Sequence, residues 1–318
     1  MSDGNASTAN GTIATDRRSL IPSRQAANGR FAPSPTGHLH LGSLVVAIAS
    51  YLEARAHGGQ WRLRIDDLDT ARVKPGCSDS IIQLLERLGL EWDGPVTYQS
   101  KRLPHYRDAL DQLARLNRLY HCHCSRKDLA QDPGSSTGAY PGTCREQSFP
   151  ATESATRFRV TDTDVVVIDD GVSGRLSWSL RELGDVIVKR RDSVIAYQLA
   201  VVVDDELDGV RHVVRGADLL PSTAWQVQLQ RCLGFSQPRY AHIPLVVEAD
   251  GRKLSKRDHA IAVRDDAGTA LLAQCLGLLR MIVPPGLERE KPANLMKWAT
   301  AHWSISRLSG VREIRAPA

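Results

Sequence analysis

The feature of this chain that most constrains its fold is a strand, turn, helix and strand pattern close to its N-terminus. Residues 30–33 form a predicted first strand, and the Pro- and Gly-rich turn at 33–37 leads into a predicted helix over 42–56. Apolar and basic side chains then alternate over Trp61–Ile65, which is strand spacing. The right-handed crossover of a βαβ unit places such a turn at the carboxyl edge of a parallel sheet, where open α/β folds bind ligands. The pattern therefore predicts an α/β fold with a parallel sheet.

Other segments continue the alternation of helices and strands. The predicted helices cover residues 78–88, 104–119, 222–233, 268–281 and 292–308. The predicted strands cover Val165–Ile168, Asp185–Lys189, Val201–Val203 and residues 243–248. We interpret Val201–Val203 as a buried strand because it is apolar and β-branched throughout.

The composition is that of a globular protein without a membrane span. Hydrophobic residues make up 42% and charged residues 24% of the 318 residues, and no apolar run is long enough to cross a bilayer. The net charge of +5 permits a polyanionic partner without requiring one. Residues 1–29 are rich in small polar residues and lack the apolar core of a signal peptide, which predicts a disordered tail and a cytoplasmic protein. Nothing in the pattern indicates an obligate dimer, so a monomer is expected.

The turn that opens the first helix belongs to the segment RFAPSPTGHLHLGS, Arg30–Ser43. A turn that leads straight into a helix directs free backbone N–H groups and the positive end of the helix dipole at one point, which makes a phosphate site. His38 and His40 lie at the edge of this site and can donate to phosphate oxygens. Taken alone, however, a histidine beside a turn is most often a solvated or capping residue.

A second basic segment, KLSKR at Lys253–Arg257, follows the last predicted strand. Lys253 and Lys256 in a mobile loop could close over the same triphosphate and stabilise the charge that develops in nucleotidyl transfer. Taken alone, such a loop is usually a basic surface loop. Both segments in this order, with an α/β pattern between them, favour the catalytic interpretation.

Together these segments resemble the glutamyl-tRNA synthetase family of class I synthetases. His40–Ser43 matches the HIGH signature of that family, and Lys253–Arg257 matches its KMSKS signature. Further similar stretches are RIDDLDTAR at 64–72, YQSKR at 98–102, AYQLAVVVDD at 196–205 and HVVRGADLL at 212–220. The resemblance extends from Arg30 to about Arg257. It implies an α/β, Rossmann-type catalytic domain with a doubly wound parallel sheet that activates glutamate with ATP and Mg²⁺.

The resemblance also implies roles for the matching residues. Glutamate would be bound by Arg30, Phe31, Ala32, Pro33, Ser34, Asp66, Tyr197 and Arg215. ATP would be bound by His38, His40, Gly42 and Lys256, and the catalytic residues would be His40, Lys253 and Lys256. Arg30 suits a carboxylate because its planar guanidinium can bond both oxygens.

Asp66 departs from the family pattern. Many relatives have a glutamate at this place, where it binds the amino group of the substrate, and Asp66 keeps the charge on a side chain one methylene shorter. The contact could run through water, or the backbone could shift. The alternative is that Asp66 is a structural carboxylate paired with Arg64 or Arg72.

The cysteines Cys122, Cys124 and Cys144 cluster in a loop-rich stretch. Three thiols and one oxygen or nitrogen donor suit tetrahedral zinc, although free buried cysteines are the alternative. One short branch of the family, the glutamyl-queuosine tRNA(Asp) synthetases, carries C-x-C followed by Y-x-x-x-C. Resemblance to this branch implies one structural Zn²⁺ held by Cys122, Cys124, Tyr140 and Cys144. His121 and His123 are rival fourth ligands.

The resemblance further implies an acceptor. After the second basic segment the chain continues only over 258–318, whereas full members of the family continue into helical domains that read the anticodon. The short branch activates glutamate without tRNA and then esterifies it to queuosine in the anticodon loop of tRNA(Asp). The alternatives are a truncated synthetase that charges tRNA(Glu) or tRNA(Gln), and a silent, zinc-stabilised RNA-binding paralogue. The presence of His40, Lys253 and Lys256 favours an active enzyme, and only Asp66 favours a silent one.

These expectations divide the chain into five regions. They are a disordered tail at 1–29, the first half of the catalytic domain at 30–120, a zinc-binding insert at 121–150, the second half of the catalytic domain at 151–242, and the KLSKR loop with a short helical C-terminal region at 243–318.

Overall fold

The computed structural model describes residues 27–131, 139–248 and 268–316. The KLSKR segment, with Lys253 and Lys256, lies outside the described residues, as does most of the predicted tail. The described chain begins with Ala27, which is fully buried, and Gly29 already belongs to the first strand. Residues 27–29, which the sequence analysis places in the tail, therefore belong to the described fold and pack into the sheet.

The predicted βαβ unit is confirmed. Strand β1 (Gly29–Phe31) lies parallel to β2 (Trp61–Ile65), with Gly29 opposite Trp61, and helix α1 (Leu41–Ala56) connects them. The apolar stripe of α1 is completely buried against this sheet. Gly59, in the turn before β2, is required because a Cβ atom there would lie 2.4 Å from the carbonyl oxygen of Ala27.

The remaining helices and strands follow in the order α2 (Cys77–Arg87), β3 (Thr97–Tyr98), α3 (Leu103–Arg115), β4 (Leu119–Cys122), α4 (Arg126–Gln131), β5 (Ala155–Phe158), β6 (Val165–Asp170), β7 (Gly174–Ser179), α5 (Leu180–Leu183), β8 (Val186–Lys189), α6 (Tyr197–Leu207), β9 (His212–Gly216), α7 (Leu220–Leu233), β10 (Arg239–Ile243), β11 (Leu245–Val247), α8 (Thr269–Leu278), α9 (Pro292–Ala301) and β12 (Glu313–Arg315).

The parallel strands form the layer that positions the candidate site. Strand β3 extends the β1–β2 pair, and β9 and β10 form a second parallel pair. The N–H groups of Arg211 and His212, at the start of β9, donate to the carbonyl oxygen of Asn28 over 2.8 and 3.0 Å. This contact brings β9 next to β1, so the carboxyl ends of β1, β2 and β9 lie close together.

Antiparallel strands form two further small sheets. Strand β5 pairs with both β4 and β8, and β6 and β7 form a hairpin. Cys122, the first predicted zinc ligand, is the last residue of β4 and therefore lies at the end of the β4–β5–β8 sheet.

The prediction of a strand at Val201–Val203 is wrong, because these residues belong to α6. This helix packs against α3, α7 and β8, so consecutive residues are buried on different faces; each of the three valines is at most 3% exposed. A short apolar run cannot distinguish a buried strand from a helix that is buried on several sides.

Three predicted helices end at least three residues earlier than expected. The helix predicted over 268–281 ends at Leu278. The helix predicted over 104–119 ends at Arg115, because Asn117 adopts a left-handed conformation with φ 54° and the chain reverses into β4. The helix predicted over 292–308 ends at Ala301 and is followed by a separate 3₁₀ turn at Ile305–Leu308. Within the described ranges, we find no helix that is both long and apolar enough to cross a membrane.

Candidate active site and cysteine cluster

A cavity of about 680 Å³ opens at the carboxyl ends of β1, β2 and β9. It is lined by every predicted glutamate-binding residue, namely Arg30, Phe31, Ala32, Pro33, Ser34, Asp66, Tyr197 and Arg215. The predicted ATP-binding residues His38, His40 and Gly42 line it as well. Strand ends and the first turn of α1 thus bring together residues that are far apart in sequence.

His40 forms the N-terminal cap of α1. Its Nδ1 accepts a hydrogen bond from the backbone N–H of Ser43 over 3.2 Å, and its Nε2 lies 3.0 Å from the Ser43 hydroxyl. The capping interpretation and the position beside the cavity therefore both hold for this residue. Gly42 packs closely beneath it, since a Cβ atom there would lie 3.4 Å from the imidazole ring. His38 contacts Ser80 Oγ through Nδ1 over 3.1 Å.

Arg30 makes a two-pronged ion pair inside the protein. Its Nε and Nη2 donate to the two carboxylate oxygens of Asp205 over 3.1 and 3.2 Å, and both residues are buried. The planar guanidinium that is expected to bind the substrate carboxylate is thus already engaged on one side. Asp205 itself is not among the predicted site residues, although it lies in the similar stretch at 196–205.

Asp66 lies at the cavity wall and is also part of a buried ion pair. Its Oδ1 accepts from Arg64 Nε over 2.8 Å, and its backbone N–H donates to the carbonyl oxygen of Pro33 over 3.0 Å. Burial raises the pKa of Asp66 to about 6, although the charge of Arg64 acts in the opposite direction. Of the two predicted structural partners, Arg64 is therefore the observed one, and Arg72 pairs with Asp69 instead.

Arg64 connects this pair to a larger buried charge network. Its Nη1 donates to Asp205 over 2.8 Å, and Asp204 Oδ2 lies 3.6 Å from its Nε. The network further includes Asp208, Arg102, Gln99 and Tyr106, which bond to Asp204, Asp208 or Arg64. Arg64 Nη2 is buried without a hydrogen-bond partner among the described residues, so the charge of Arg64 is compensated through its Nε and Nη1 contacts to the aspartates.

Arg215 differs from Arg30 because neutral groups surround its guanidinium. Nε donates to His242 Nε2 over 3.1 Å, and Nη2 donates to Thr223 Oγ1 over 2.7 Å. Nη1 donates to the hydroxyl of Tyr197 over 3.2 Å and to Gln226 Oε1 over 2.7 Å. These contacts hold the side chain in place without a carboxylate that would neutralise it directly, so its charge is available to an anion that binds in the cavity.

Apart from Tyr197, the partners of Arg215 are not among the residues predicted from the sequence. Thr223 and Gln226 lie on α7 and His242 lies in β10, and all three are at most 1% exposed. The sequence signal that could have identified them is a polar residue on a face of a helix or strand that is otherwise apolar, because a buried polar group needs a hydrogen-bond partner.

The cysteine cluster lies at the end of β4. The sulfur atoms of Cys122, Cys124 and Cys144 are all within 4.8 Å of one another. The hydroxyl oxygen of Tyr140 lies 3.4 Å from Cys122 Sγ and 3.7 Å from Cys124 Sγ, and Cys124 Sγ lies 3.5 Å from Cys144 Sγ. The structure thus gathers the four residues named as ligands.

The two rival ligands do not join this cluster. The ring of His123 stacks on Phe149 with 4.4 Å between ring centroids. His121 lies on β4, where its Nδ1 is buried without a hydrogen-bond partner among the described residues. Among the described residues, the three cysteines form the group of side chains that could hold a metal ion, and no histidine or carboxylate of the described residues belongs to this group.

Comparison with known proteins adds an independent line of evidence. A family model described as "tRNA synthetases class I (E and Q), catalytic domain" matches residues 27–302. The glutamyl-Q tRNA(Asp) synthetase of Dechloromonas aromatica is 46% identical over 296 residues, which cover 91% of this chain and 98% of that protein. The protein of the same name from Thiobacillus denitrificans is 48% identical over 297 residues, with 92% and 98% covered.

Solved structures agree with this relationship. A glutamate tRNA ligase from Elizabethkingia meningosepticum, crystallised in complex with its amino acid, is similar with a TM-score of 0.75 and 26% identity, covering 92% of this chain and 68% of that one. The glutamate-tRNA synthetase from Elizabethkingia anophelis gives a TM-score of 0.76 at the same identity and coverage. The chain therefore has the α/β fold of class I aminoacyl-tRNA synthetases with its parallel sheet, and it belongs to the glutamyl-Q tRNA(Asp) synthetase family within the class I synthetases of the E and Q type.

Proposed function

We propose that this protein activates glutamate with ATP and transfers it to the queuosine nucleoside in the anticodon loop of tRNA(Asp). The observation that carries the proposal is the cavity at the strand ends, where Arg215 and Asp66 offer opposite charges to one small molecule. An amino acid with a carboxylate side chain matches this arrangement, because it carries both an ammonium group and carboxylates. The names of the relatives support the choice of acceptor.

Each residue at the cavity has a proposed role. Arg215 and Tyr197 bind a carboxylate of glutamate, and the ionised Asp66 attracts its ammonium group. Arg30 adds positive charge and the Nη1 nitrogen, which is not part of its pairing with Asp205. His38, His40 and Gly42 at the start of α1 bind the nucleotide, and the role of Lys253 and Lys256 is to neutralise the charge of its phosphates.

The reaction proceeds in two steps. The α-carboxylate of glutamate attacks the α-phosphate of ATP in line, which forms glutamyl-adenylate and releases pyrophosphate. Bound Mg²⁺ would neutralise part of the triphosphate charge. The N-terminus of α1 supplies backbone N–H groups and a positive dipole to the same phosphates, so the rate gain comes from position and charge stabilisation. A hydroxyl of the modified nucleoside then attacks the activated carbonyl, and AMP leaves.

One experiment separates this function from its alternatives. ATP–pyrophosphate exchange is measured with glutamate in the absence of tRNA, and transfer of labelled glutamate is tested on queuosine-containing tRNA(Asp), unmodified tRNA(Asp) and tRNA(Glu). We expect exchange without tRNA and transfer only to the queuosine form. Transfer to tRNA(Glu) would indicate an ordinary charging enzyme. A folded protein without exchange would indicate a silent paralogue.

The ionisation of Asp66 predicts a pH dependence of glutamate binding. Because its pKa is about 6, Asp66 is neutral at lower pH and no longer attracts the ammonium group. We expect the KM for glutamate in the exchange reaction to rise roughly tenfold per pH unit below that value. The KM for ATP, measured over the same pH range, is the control for titration of the nucleotide.

Asp66→Asn provides the matched variant for this prediction. Its KM for glutamate should be high and nearly independent of pH between about 5 and 7. The variant is needed because the ordinary pKa of histidine also lies in this range, so a histidine could cause the same pH dependence. An equally steep pH dependence in Asp66→Asn would show that another group titrates.

The raised pKa of Asp66 also affects the free energy of unfolding. The contribution of Asp66 to stability is complete at a pH below its pKa in the unfolded chain, and it is lost as the pH rises through about 6.

We further propose that Cys122, Cys124, Tyr140 and Cys144 hold one structural Zn²⁺ in an insert over 121–150, between two halves of the catalytic domain at 30–120 and 151–242. Tetrahedral zinc with Zn–S bonds of about 2.3 Å places sulfur ligands about 3.8 Å apart and an oxygen ligand about 3.5 Å from sulfur. The distances from the Tyr140 oxygen to Cys122 Sγ and Cys124 Sγ and from Cys124 Sγ to Cys144 Sγ, 3.4–3.7 Å, fit this geometry. Three protein thiolates and a phenolate would leave no open position, so the role is structural.

Loss of two thiolates should remove the metal. We expect Cys122→Ser/Cys144→Ser to lower the zinc content from about one atom per chain to nearly none and to lower the thermal midpoint by several degrees, because metal binding contributes directly to folding. Zinc is measured by atomic emission on protein purified without chelators. Cys232→Ser, outside the cluster, is the control and should keep its zinc. Retention of one zinc per chain by the double variant would contradict the assignment.

A further inference from the structure

A line of buried polar side chains extends from the glutamate cavity to a second cavity of about 720 Å³. Arg215 lines the first cavity, and His242 and Asp170 line the second. Arg215 Nε lies 3.1 Å from His242 Nε2, and His242 Nδ1 lies 2.6 Å from Asp170 Oδ2. All three residues are at most 5% exposed. The line therefore connects the candidate substrate arginine with a carboxylate that does not reach the substrate cavity.

The direction of each hydrogen bond follows from the chemistry of arginine. The Nε of arginine always carries a proton and can only donate, so His242 Nε2 must accept. The ring proton of a neutral His242 therefore lies on Nδ1 and is donated to Asp170. Burial lowers the pKa of His242, against the opposing effect of the Asp170 carboxylate, which favours the neutral ring. Thr223 Oγ1, which accepts from Arg215 Nη2, lies 3.0 Å from the same Nε2.

The backbone of the β6–β7 turn fixes the orientation of Asp170. Its Oδ1 accepts from the N–H groups of Val172 and Ser173 over 3.0 and 2.8 Å, which leaves Oδ2 for His242. Both oxygens of Asp170 thus accept hydrogen bonds. Only a carboxylate can accept with both atoms, because one of the two terminal atoms of an amide is a donor. An asparagine would keep its oxygen on the two backbone donors and turn its NH₂ group toward His242 Nδ1.

We propose that Asp170 and His242 are positioning residues that orient Arg215 for glutamate by holding His242 in the Nδ1–H tautomer. The inference rests on the proposed function, because that function places Arg215 in the glutamate pocket. With the other tautomer, an Nε2–H group would face the Nε–H of Arg215, and two donors would oppose each other at 3.1 Å. The guanidinium would then rotate out of the plane that its other partners define. Serine proteases show the same effect, since an asparagine in place of the aspartate of their catalytic triad also imposes the wrong histidine tautomer.

The test uses Asp170→Asn in the full-length protein. We expect the KM for glutamate to rise about tenfold or more, whereas the KM for ATP stays within about twofold, since only the amino-acid site is disturbed. The ¹⁵N NMR spectrum of histidine-labelled protein should show His242 changing from the Nδ1–H to the Nε2–H tautomer. A merely structural role of Asp170 would move neither the tautomer nor the ratio of the two KM values.

Two further variants complete the design. In the double variant Asp170→Asn/His242→Gln, the amide of the new glutamine can turn its oxygen toward Arg215 without help from residue 170, so the KM for glutamate should return toward the wild-type value. Asp164→Asn, a buried ion-paired aspartate bonded to Arg118 and outside the linings of both cavities, is the control for a general loss of stability. It should leave the KM for glutamate unchanged.

The outcomes separate this proposal from the proposed function. An unchanged KM for glutamate in Asp170→Asn, despite the altered tautomer, would overturn the coupling to Arg215. If His242 had the Nε2–H tautomer in the wild-type protein, the proposed chain of hydrogen bonds from Asp170 through His242 to Arg215, which we call the relay, would be overturned. Absence of glutamate-dependent exchange in the wild type would instead reject the proposed function, and the NMR measurement would still decide whether the relay exists.

Discussion

Arg215→Lys should lower kcat/KM for glutamate in pyrophosphate exchange by roughly a hundredfold, which is about 3 kcal/mol of lost transition-state stabilisation. Lysine keeps the charge but has no planar fork, so it cannot reproduce the contacts to Tyr197, Thr223, Gln226 and His242 together. The ammonium group would therefore not be held toward the substrate carboxylate. Exchange kinetics at varied glutamate and saturating ATP measure the effect.

Arg211→Lys is the matched control for this prediction. Arg211 precedes the same strand, lies outside the linings of both cavities and makes a loose pair with Glu206 at 3.7 Å. We expect less than about a twofold change for this variant. If Arg215→Lys also changed kcat/KM by less than about threefold while remaining folded, the assignment of Arg215 to the substrate would have to be abandoned.

The second large effect is expected from Asp205→Ala, which should lower the free energy of unfolding by about 3–5 kcal/mol. Asp205 is the shared partner of Arg30 and Arg64, both of which are buried. Its removal leaves two guanidinium groups with incomplete compensation in the interior. Urea denaturation measures the change as a shift of the midpoint at constant slope.

The control for this substitution is Asp192→Ala. Asp192 pairs with Arg190 at the surface, where its side chain is 51% exposed, and exposed pairs contribute about 0–1 kcal/mol. A loss below about 1 kcal/mol in Asp205→Ala would show that Arg64 and the remaining aspartates compensate for the missing charge. That result would contradict the central position we assign to Asp205.

The two buried aspartates respond to pH in opposite ways. Although burial acts to raise it, the charges of Arg30 and Arg64 hold the pKa of Asp205 below its ordinary value. Asp205 therefore stabilises the fold above the pKa of the unfolded chain and loses this contribution on acidification. For Asp66, whose pKa is raised, the contribution is lost as the pH rises. The pKa values of two neighbouring carboxylates thus shift in opposite directions because their surroundings differ.

Local patterns predict much of the fold, whereas the membership of the site is predicted from the resemblance to the synthetase family. The turn at 33–37 and the strand at Trp61–Ile65 follow from short-range rules on Pro, Gly and alternation, and the structure confirms the βαβ unit that they form. Because parallel strands end at one edge of a sheet, the residues after β1, β2 and β9 meet in one cavity. The prediction fails at Val201–Val203, where burial on several faces of a helix resembles a strand.

By itself, the sequence determined which chemical groups this protein has available: the arginines, the carboxylates, the capped helix start and the cysteine cluster, all of them in short motifs. Only the tertiary structure decided how these groups share their charges. Arg30 is paired with Asp205 across 175 residues, whereas Arg215 is held by neutral partners and, through His242, by Asp170. The physical reason is that a hydrogen bond depends on distances of about 3 Å between atoms, and such distances between remote segments exist only after the core has packed.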